Sequence, residues 1–399
     1  MKLYARLSCF SLAIFFASLT FPCWAQKLEM SKNCQEAYHS FIRLKLTTAK
    51  SILRNELQQN PKNLLPLILI NYEDYFELLF NENEKEYKLR KPRKEKRLAI
   101  LQSANKESPY YLYSKAMLHL QWSLIQIKYT DYWGAAWDFR KSHLLLNENK
   151  QKFPNFLPND MQIGAQEALI STIPKGYKWI SNLLGLHGNM KHGLQVLKAS
   201  NHPSNPFYEE SVLYVIYLKN YLENDIDGAY RQMETLQLDT KNNWLYCFMG
   251  ANLALNNKKA AIAEKVLTQR TMSKEYMQFP MLAYELGTAK MRRLDYTAIQ
   301  DFEDFLQTSK GHFYLRDACM NIALCFYLQQ NMKQANLYRE KIFQLGKQES
   351  DADKQASYFA KHEKFPQKDL LKARLLNDGG YQEKALKILV KINPTTLRT

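Results

Sequence analysis

The stretch QQNMKQANLYREKIF, residues 329–343, shows the pattern from which the fold can be predicted. A polar turn is followed by the small residue Ala335 and then by apolar residues at the spacing of an amphipathic helix. Five other stretches repeat this order of turn, small residue and helix. The small residues of all six stretches are Gly193, Ala229, Ala261, Ala298, Ala335 and Ala385. They recur about every 32 to 37 residues, with a longer step before Ala385, so the chain contains an internal repeat.

Each repeat is expected to be a helical hairpin. A small residue early in the second helix lets the first helix approach closely. A second register of Gly250, Gly287 and Leu324 lies upstream of three of the turns. The first helix is expected to be buried between neighbours, because sequences such as WLYCFM at residues 244–249 are apolar nearly all round. Stacked hairpins cover the faces that one hairpin leaves open. We therefore predict an all-α fold, a right-handed α-solenoid.

From about residue 176 to the C-terminus the chain resembles the tetratricopeptide repeat family, although most of that family's Trp and Pro landmarks are missing. An extra helix is expected around residues 354–362. The segment from Ile173-Pro174 through Leu184-Gly185-Leu186 to Gly188 is similar to a signature of the eukaryotic tetratricopeptide family named for inclusion-body clearance. The Lys-, Asn- and Tyr-rich composition is similar to that of secreted tetratricopeptide proteins of Bacteroidota-type bacteria.

The stretch LLGLHGNMKHGLQVL, residues 183–197, is the part of the chain most like an active site. It lacks the GK[ST] ending and the preceding strand of a phosphate loop. As a zinc site it offers only His187 and His192, without an acidic or cysteine ligand nearby in sequence. We interpret it as the first turn of the array, in which Gly185 and Gly188 end one helix and Gly193 takes the small-residue position. No metal and no cofactor are predicted.

Residues 26–170 form a predicted N-terminal helical region that is continuous with the array at 171–399. A hairpin is expected from residues 108–128 and 131–150, with Ala135 and Ala136 at its close approach. Trp122, Trp133 and Trp137 are expected to cluster in its core, because aromatic residues at helical spacing are usually buried. A ligand pocket at these tryptophans is the alternative. The absence of a Pro-, Gly- or Ser-rich linker predicts one continuous curved body.

Residues 1–25 have the pattern of a secretory signal peptide, with a basic start, an apolar stretch and Cys23-Trp24-Ala25 before a cleavage site at Gln26. Lipidation at Cys23 is the alternative, but the preceding residues fit it less well. The protein is therefore expected to be exported, to the periplasm or the cell envelope. No transmembrane helix is expected in the mature chain, because no later apolar run approaches the length that a span requires.

The net charge of +16 would suggest nucleic acid, but exported proteins rarely meet it, and no nucleic-acid partner is predicted. One run, KEYKLRKPRKEKR at residues 85–97, concentrates the basic charge. A solvated face explains such a run, and contact with anionic lipid or an acidic partner is the functional alternative. The four cysteines after the signal segment, Cys34, Cys247, Cys319 and Cys325, are expected to be buried and unpaired.

No catalytic motif such as GxSxG or HExxH occurs in the sequence, so an enzyme is not expected. The leading hypothesis is a periplasmic or surface-facing scaffold that binds a protein or peptide in a concave groove. The candidate partner-binding residues are Trp244, Tyr284 and Phe313, which lie on or beside the first helices. The alternative is a membrane-surface adaptor that docks on anionic lipid through residues 85–97. These hypotheses leave the partner's identity and the oligomeric state open.

Overall fold

A computed structural model describes residues 26–172, 185–347, 350–362 and 364–392, and these residues form an all-α protein. Their β structure is limited to two isolated bridges, which pair Gln26 with Ala104 and Lys27 with Asn63. The predicted signal segment at 1–25 lies outside the described residues, as do Ile173-Pro174 and Leu184.

The N-terminal half consists of nine described helices. They are α1 (Lys32–Ile42), α2 (Leu46–Gln59), α3 (Leu65–Leu69), α4 (Asn71–Asn81), α5 (Glu84–Arg90), α6 (Arg93–Ile100), α7 (Pro109–Lys128), α8 (Tyr132–Lys152) and α9 (Leu157–Ser171). A single 3₁₀ turn, Leu101–Ser103, follows α6 among these residues.

The second half continues as helices of similar length. They are α10 (Met190–Ser200), α11 (Tyr208–Tyr221), α12 (Ile226–Thr235), α13 (Trp244–Asn256), α14 (Ala260–Thr268), α15 (Met281–Met291), α16 (Ala298–Thr308), α17 (Leu315–Leu328), α18 (Met332–Lys341), α19 (Asp351–Lys361), α20 (Lys368–Asp378) and α21 (Gln382–Leu389). Helix α19 confirms the extra helix expected near residues 354–362.

The helices pack mainly as consecutive pairs. Pairs form between α1 and α2, α7 and α8, α9 and α10, and then regularly from α11 with α12 to α17 with α18, with α20 and α21 as the last pair. Neighbouring pairs also contact each other: α13 contacts α15, and α15 contacts α17. The predicted all-α solenoid of helical hairpins is thus confirmed. The predicted handedness of the superhelix stays a prediction.

A left-handed residue ends the first helix of most hairpins. Its φ is 54° at Asn224, 55° at Lys258 and 64° at Gln330, and the next residue then bonds back to the first helix. For example, the Lys259 N–H donates to the Ala254 carbonyl at 2.8 Å, five residues back. This is the Schellman geometry, in which glycine is usual. Among the hairpin turns built this way in the described residues, only that at Gly380 uses glycine, which explains why the turns are faint in the sequence.

The small residue of the second helix usually follows the left-handed residue by five positions, as Ala229 follows Asn224 and Ala335 follows Gln330. Gly193, Ala229, Ala298, Ala335 and Ala385 are all buried, which confirms five of the six predicted positions. The prediction was wrong for Ala261, whose side chain is exposed. The turn at Lys258 places Ala263 in the close approach instead, and Ala260 is buried beside it.

The glycine-rich stretch at residues 185–193 is a structural turn. Gly185 has a φ of 64°, the left-handed value expected of it. Gly188 lies close to α9, since a Cβ there would lie 2.4 Å from the Ser171 backbone nitrogen. The residues of the helix that Gly185 and Gly188 were predicted to end lie outside the described residues, so that prediction stays a prediction. The Asn189 side chain caps α10 by accepting a hydrogen bond from the His192 N–H. Gly193 then lies against α9, so the stretch shapes a helix crossing.

The N-terminal helices pack along the starts of the first helices of the array. Tyr72 of α4 donates a hydrogen bond of 2.8 Å to the buried Glu210 of α11. The Phe80 ring lies 4.5 Å from the Phe279 ring, just before α15, and the Met277 N–H donates to the Leu44 carbonyl. One hydrophobic cluster accordingly runs from Leu28 to Ala289.

The expected tryptophan cluster is only partly present. Trp122 is buried and donates a hydrogen bond to Asn71, as a core tryptophan should. Trp133 and Trp137 instead lie on the outer face of α8, whereas its buried face consists of Ala135, Asp138, Ser142, Leu146 and Asn149. The prediction of one buried cluster was wrong: the spacing that places two tryptophans on one helix face does not say which face is covered.

Candidate binding strip on the first helices

A row of hydrogen-bonded polar side chains crosses four consecutive first helices, α11, α13, α15 and α17. The Tyr221 hydroxyl donates to the Asn252 side-chain oxygen at 2.6 Å, and the Asn252 amide donates to Glu285 at 2.9 Å. Farther along, Tyr284 and Asn321 both donate to Asp317, at 2.5 and 2.8 Å. We call these six residues the polar strip. It links neighbouring repeats through side chains alone.

The repeat period creates this strip. The pairs Tyr221–Asn252, Asn252–Glu285 and Tyr284–Asp317 are separated by 31, 33 and 33 residues, about one repeat each. Equivalent positions on successive first helices therefore face one another. Sequence reasoning missed Asn252, Glu285, Asp317 and Asn321. Their signal was present, since each is a polar residue in an otherwise apolar helix and the polar positions recur at the repeat length.

Local capping fixes the helices that hold the strip. Asn243 caps α13 by accepting from the N–H groups of Leu245 and Tyr246. The start of α17 is capped by a distant side chain, the buried Asp353 of α19. Its carboxylate accepts from the N–H groups of Tyr314, Arg316 and Asp317 at 2.8 to 3.3 Å. A negative charge at a helix N-terminus is favourable, so α19 stabilises the helix that carries Asp317.

The two carboxyl groups of the strip are buried, and burial favours their neutral forms. Desolvation raises the pKa of Glu285 to about 7, against the opposing effects of the Asn252 hydrogen bond and the Arg292 charge. Burial also raises the pKa of Asp317, and Asp353 adds to this, while the Tyr284 and Asn321 hydrogen bonds act in the opposite direction. Near neutral pH, the Glu285 carboxyl group is therefore present in both forms: the ionised form, which only accepts hydrogen bonds, and the neutral form, which can also donate one.

Some residues of the strip, and several residues beside it, are open to solvent. Tyr221 is 56% exposed and stacks on the half-buried Tyr217, with ring centroids 5.8 Å apart. Asn256, one turn beyond Asn252, is exposed, while Asn321 and Thr288 are half-buried. Together with these neighbouring residues, the strip combines accessible tyrosine rings and amides with buried carboxyl groups. It offers donors and acceptors beside rigid apolar surface.

Other segments lie at both ends of the first helices. At their starts, Glu82 after α4 accepts a hydrogen bond from the His312 N–H and pairs with Lys128 at 2.6 Å. At their ends, the turn between α20 and α21 meets the hairpin turn at Lys258, where the Ala260 N–H donates to the Gly379 carbonyl. A Cβ at Gly380 would lie 1.9 Å from the Lys258 carbonyl oxygen, so this contact requires glycine.

The three residues chosen from the sequence occupy different positions. Tyr284 belongs to the polar strip. Trp244 is only 7% exposed; its ring stacks on Tyr276, and its indole N–H donates to the Thr271 carbonyl at 3.0 Å. Phe313 is half-buried under Lys128, whose ammonium lies 4.1 Å from the ring centroid. Partner binding at these three residues stays a prediction. Of the three, only Tyr284 belongs to the polar strip.

The two histidines of the glycine-rich stretch diverge. His187 is exposed, and the His192 ring pairs with Glu167 of α9 at 2.6 Å. Within the described ranges, no group of three or more His, Cys, Asp or Glu residues is placed to hold a metal ion. In the same ranges, no helix has both the length and the apolarity that a membrane span needs.

The basic run at residues 85–97 forms α5 and α6, and most of its charge is neutralised internally. Arg90, Arg93 and Arg97 all contact the buried carboxylate of Asp74, at 2.7 to 2.8 Å. Lys91 pairs with Asp131, and Lys94 pairs with Asp138. The exposed lysines of the run are Lys85, Lys88, Lys91 and Lys96. Much of the run therefore joins helices together, and its capacity to bind lipid by itself is smaller than its sequence suggests.

The four described cysteines are free and buried, as expected. Burial raises the pKa of Cys34 to about 11 and that of Cys247, Cys319 and Cys325 to about 12. Such thiols remain protonated at neutral pH and behave as small apolar side chains.

No protein-family model matches the chain, and no curated protein matches it significantly. Among solved structures, the chain is similar to the apo form of the quorum sensor NprR from B. thuringiensis, at 12% sequence identity. The alignment covers 90% of this chain and 96% of that chain, with a TM-score of 0.37. A likeness of this degree carries no argument about ligand or partner. The tetratricopeptide resemblance accordingly rests on the repeat spacing and hairpin geometry of the chain itself.

Proposed function

We propose that the protein is a non-enzymatic scaffold of the periplasm or cell envelope that holds an extended peptide segment of a partner along the polar strip. The observation that carries this proposal is the row of side chains from Tyr221 to Asn321, presented at the repeat period by successive first helices. Location outside the cytoplasm is supported by the N-terminal sequence pattern alone.

The side-chain chemistry of the strip fits a peptide backbone. An amide side chain both donates and accepts hydrogen bonds, as a peptide group requires. Asn256 is exposed and Asn321 half-buried, so both amides lie near solvent. Tyr217 and Tyr221 add rigid apolar area with a polar end, and tyrosine is enriched among residues that dominate binding energy.

The charge of the strip favours a neutral or basic segment. Its ionisable side chains are the acids Glu285 and Asp317 and the two tyrosines, so an acidic ligand would find no cation among these six residues to pair with. A lysine or arginine beside Glu285 would favour its ionised form and lower its pKa. Binding of a basic segment should therefore release a proton near neutral pH.

The test uses peptides selected from a random library displayed against the full chain. Tyr221→Ala should weaken the selected peptides by about fivefold or more, since a tyrosine anchor contributes more than about 1 kcal/mol. Asn256→Ala should weaken them less. The matched control is Tyr358→Ala, which removes a tyrosine on α19 that is 67% exposed, against 56% for Tyr221. Equal affinities for the Tyr221 variant and the unmodified protein would contradict the proposal.

A further inference from the structure

Helix α8 presents a row of large apolar side chains to solvent. Trp133 and Trp137 are 53% and 51% exposed, Tyr132 is 59% exposed, and Leu144 continues the same face. Sequence spacing alone favoured a buried role for the two tryptophans. Side chains of this size in solvent are unfavourable unless something covers them, so an exposed apolar row of this kind marks a contact surface.

Cationic side chains flank this row. The contacts Lys91–Asp131 at 3.4 Å and Lys94–Asp138 at 2.8 Å hold the junction of α5 and α6 beside the first two turns of α8. Lys91 stays 53% exposed although it is paired, Lys88 is exposed one turn before it, and Lys141 is exposed one turn after Trp137. Leu89, between Lys88 and Arg90, is itself 65% exposed.

We propose that this surface, the aromatic–lysine face (Tyr132, Trp133, Trp137, Lys88, Lys91 and Lys141), docks on a bilayer that contains anionic lipid. Tryptophan and tyrosine favour the membrane–water interface, where the apolar ring enters the acyl boundary and the polar end stays with the headgroups. Lysines around them meet lipid phosphates, and their long stems let the ammonium groups reach the headgroup level.

The acidic residues near this surface are already paired. Asp131 bonds to the Gly134 N–H and to Lys91, and Glu148 pairs with Lys152 at 3.2 Å. Since Lys91 and Lys152 are each offset by an acidic partner, the charge that this surface turns toward solvent comes from Lys88 and Lys141 and is basic, as contact with anionic headgroups requires. A nucleic acid would need cations along the middle of the surface, where this protein has tryptophan. The combination of apolar centre and basic rim favours a bilayer.

The surface is separate from the polar strip. It belongs to α8 and the α5–α6 junction, whereas the strip belongs to α11, α13, α15 and α17. Lipid docking and peptide binding can therefore be lost independently of each other, and a protein with both would hold its partner at a membrane surface.

The test is sedimentation of the full chain with vesicles of phosphatidylcholine alone or of equimolar phosphatidylcholine and phosphatidylglycerol. The protein should sediment with the anionic vesicles and stay in solution with the neutral ones, and salt of a few tenths molar should release it. Trp137→Ala should reduce the bound fraction several-fold. The double variant Lys88→Glu with Lys141→Glu should reduce vesicle affinity by roughly tenfold or more.

Matched controls lie at the other end of the chain. Tyr358→Ala removes an exposed aromatic side chain from α19, and Lys333→Glu reverses an exposed charge on α18. Neither should change vesicle binding. Equal binding to neutral and anionic vesicles, or no binding to either, would overturn the proposal. If Trp137→Ala left lipid binding intact but abolished association with a protein, the surface would be a protein-binding surface instead.

Discussion

Gly164 of α9 and Gly193 of α10 meet backbone to backbone. A Cβ on Gly164 would lie 2.6 Å from the Gly193 carbonyl oxygen, and a Cβ on Gly193 would lie 2.7 Å from the Gly164 carbonyl oxygen. No Cβ fits at either position, so the close crossing of the two helices requires glycine on both of them. The glycine-rich stretch that resembled an active site therefore has a structural requirement for its last glycine.

Gly193→Ala should destabilise the protein by about 2 kcal/mol or more, because the added methyl group meets backbone atoms that cannot rotate away. Chemical denaturation of the purified variant measures this. The control is Gly250→Ala, in the interior of α13, where the nearest atoms to a new Cβ are side-chain atoms at 3.3 and 3.4 Å. That variant should stay within about 1 kcal/mol, since alanine also favours the helix. Equal losses of stability in the two variants would contradict the close backbone contact at Gly193.

Ala263→Leu should cost about 1 to 3 kcal/mol through overpacking of the crossing between α13 and α14. Ala261→Leu, two residues away on the exposed side of the same helix, should change stability by less than about 0.5 kcal/mol. Comparing the two variants shows whether Ala263, as in the structure, or Ala261, as predicted from the sequence, lies at the helix crossing. A larger loss of stability for the Ala261 variant would show that Ala261 lies at the crossing after all. Ala298→Leu, at a position where both agree, should resemble Ala263→Leu.

Glu285→Gln should remove part of the pH dependence of stability. The pKa of Glu285 is raised from 4.5 to about 7 in the folded protein, so the neutral carboxyl favours folding. Its contribution is fully present below pH 4.5 and is lost as the pH rises through about 7. The glutamine variant stays neutral and still accepts from Asn252, so at pH 8 it should be more stable than the unmodified protein, by up to about 3 kcal/mol.

Denaturation midpoints of both proteins across pH 4 to 9 test this difference. Glu210 and Asp317, whose burial also raises their pKa values, are present in both proteins, so the comparison isolates Glu285. Glu148→Gln, at an exposed carboxylate on α8, is the control. Parallel pH curves for the Glu285 variant and the unmodified protein would argue against the raised pKa.

The thiols of Cys34, Cys247, Cys319 and Cys325 should resist labelling in the folded protein at pH 8, because all four are buried and their pKa values are raised to about 11 or 12. Peptide mapping after reaction with a thiol reagent measures this. All four should react once denaturant unfolds the chain. Rapid labelling of one cysteine without denaturant would reveal local opening at that helix.

The helical hairpins and their period can be predicted from the amino-acid sequence alone. Helical periodicity and a small residue at each crossing are local properties, because a helix face needs its own apolar stripe and a close approach needs a missing side chain. Five of the six crossing residues were found this way. Ala261 was misplaced because the turn before it is made by Lys258 in a left-handed conformation, and lysine carries no sequence signal for that conformation.

Which faces of the helices are covered depends on tertiary packing. The N-terminal helices lie against the starts of the first helices, through contacts such as Tyr72–Glu210 that join residues 138 apart in the chain. Such distant pairing leaves no local pattern. For the same reason Trp244 stacks on Tyr276, whereas Trp137 is exposed to solvent. Both tryptophans lie in sequences with helical periodicity, and whether each is buried depends on which helix packs beside it.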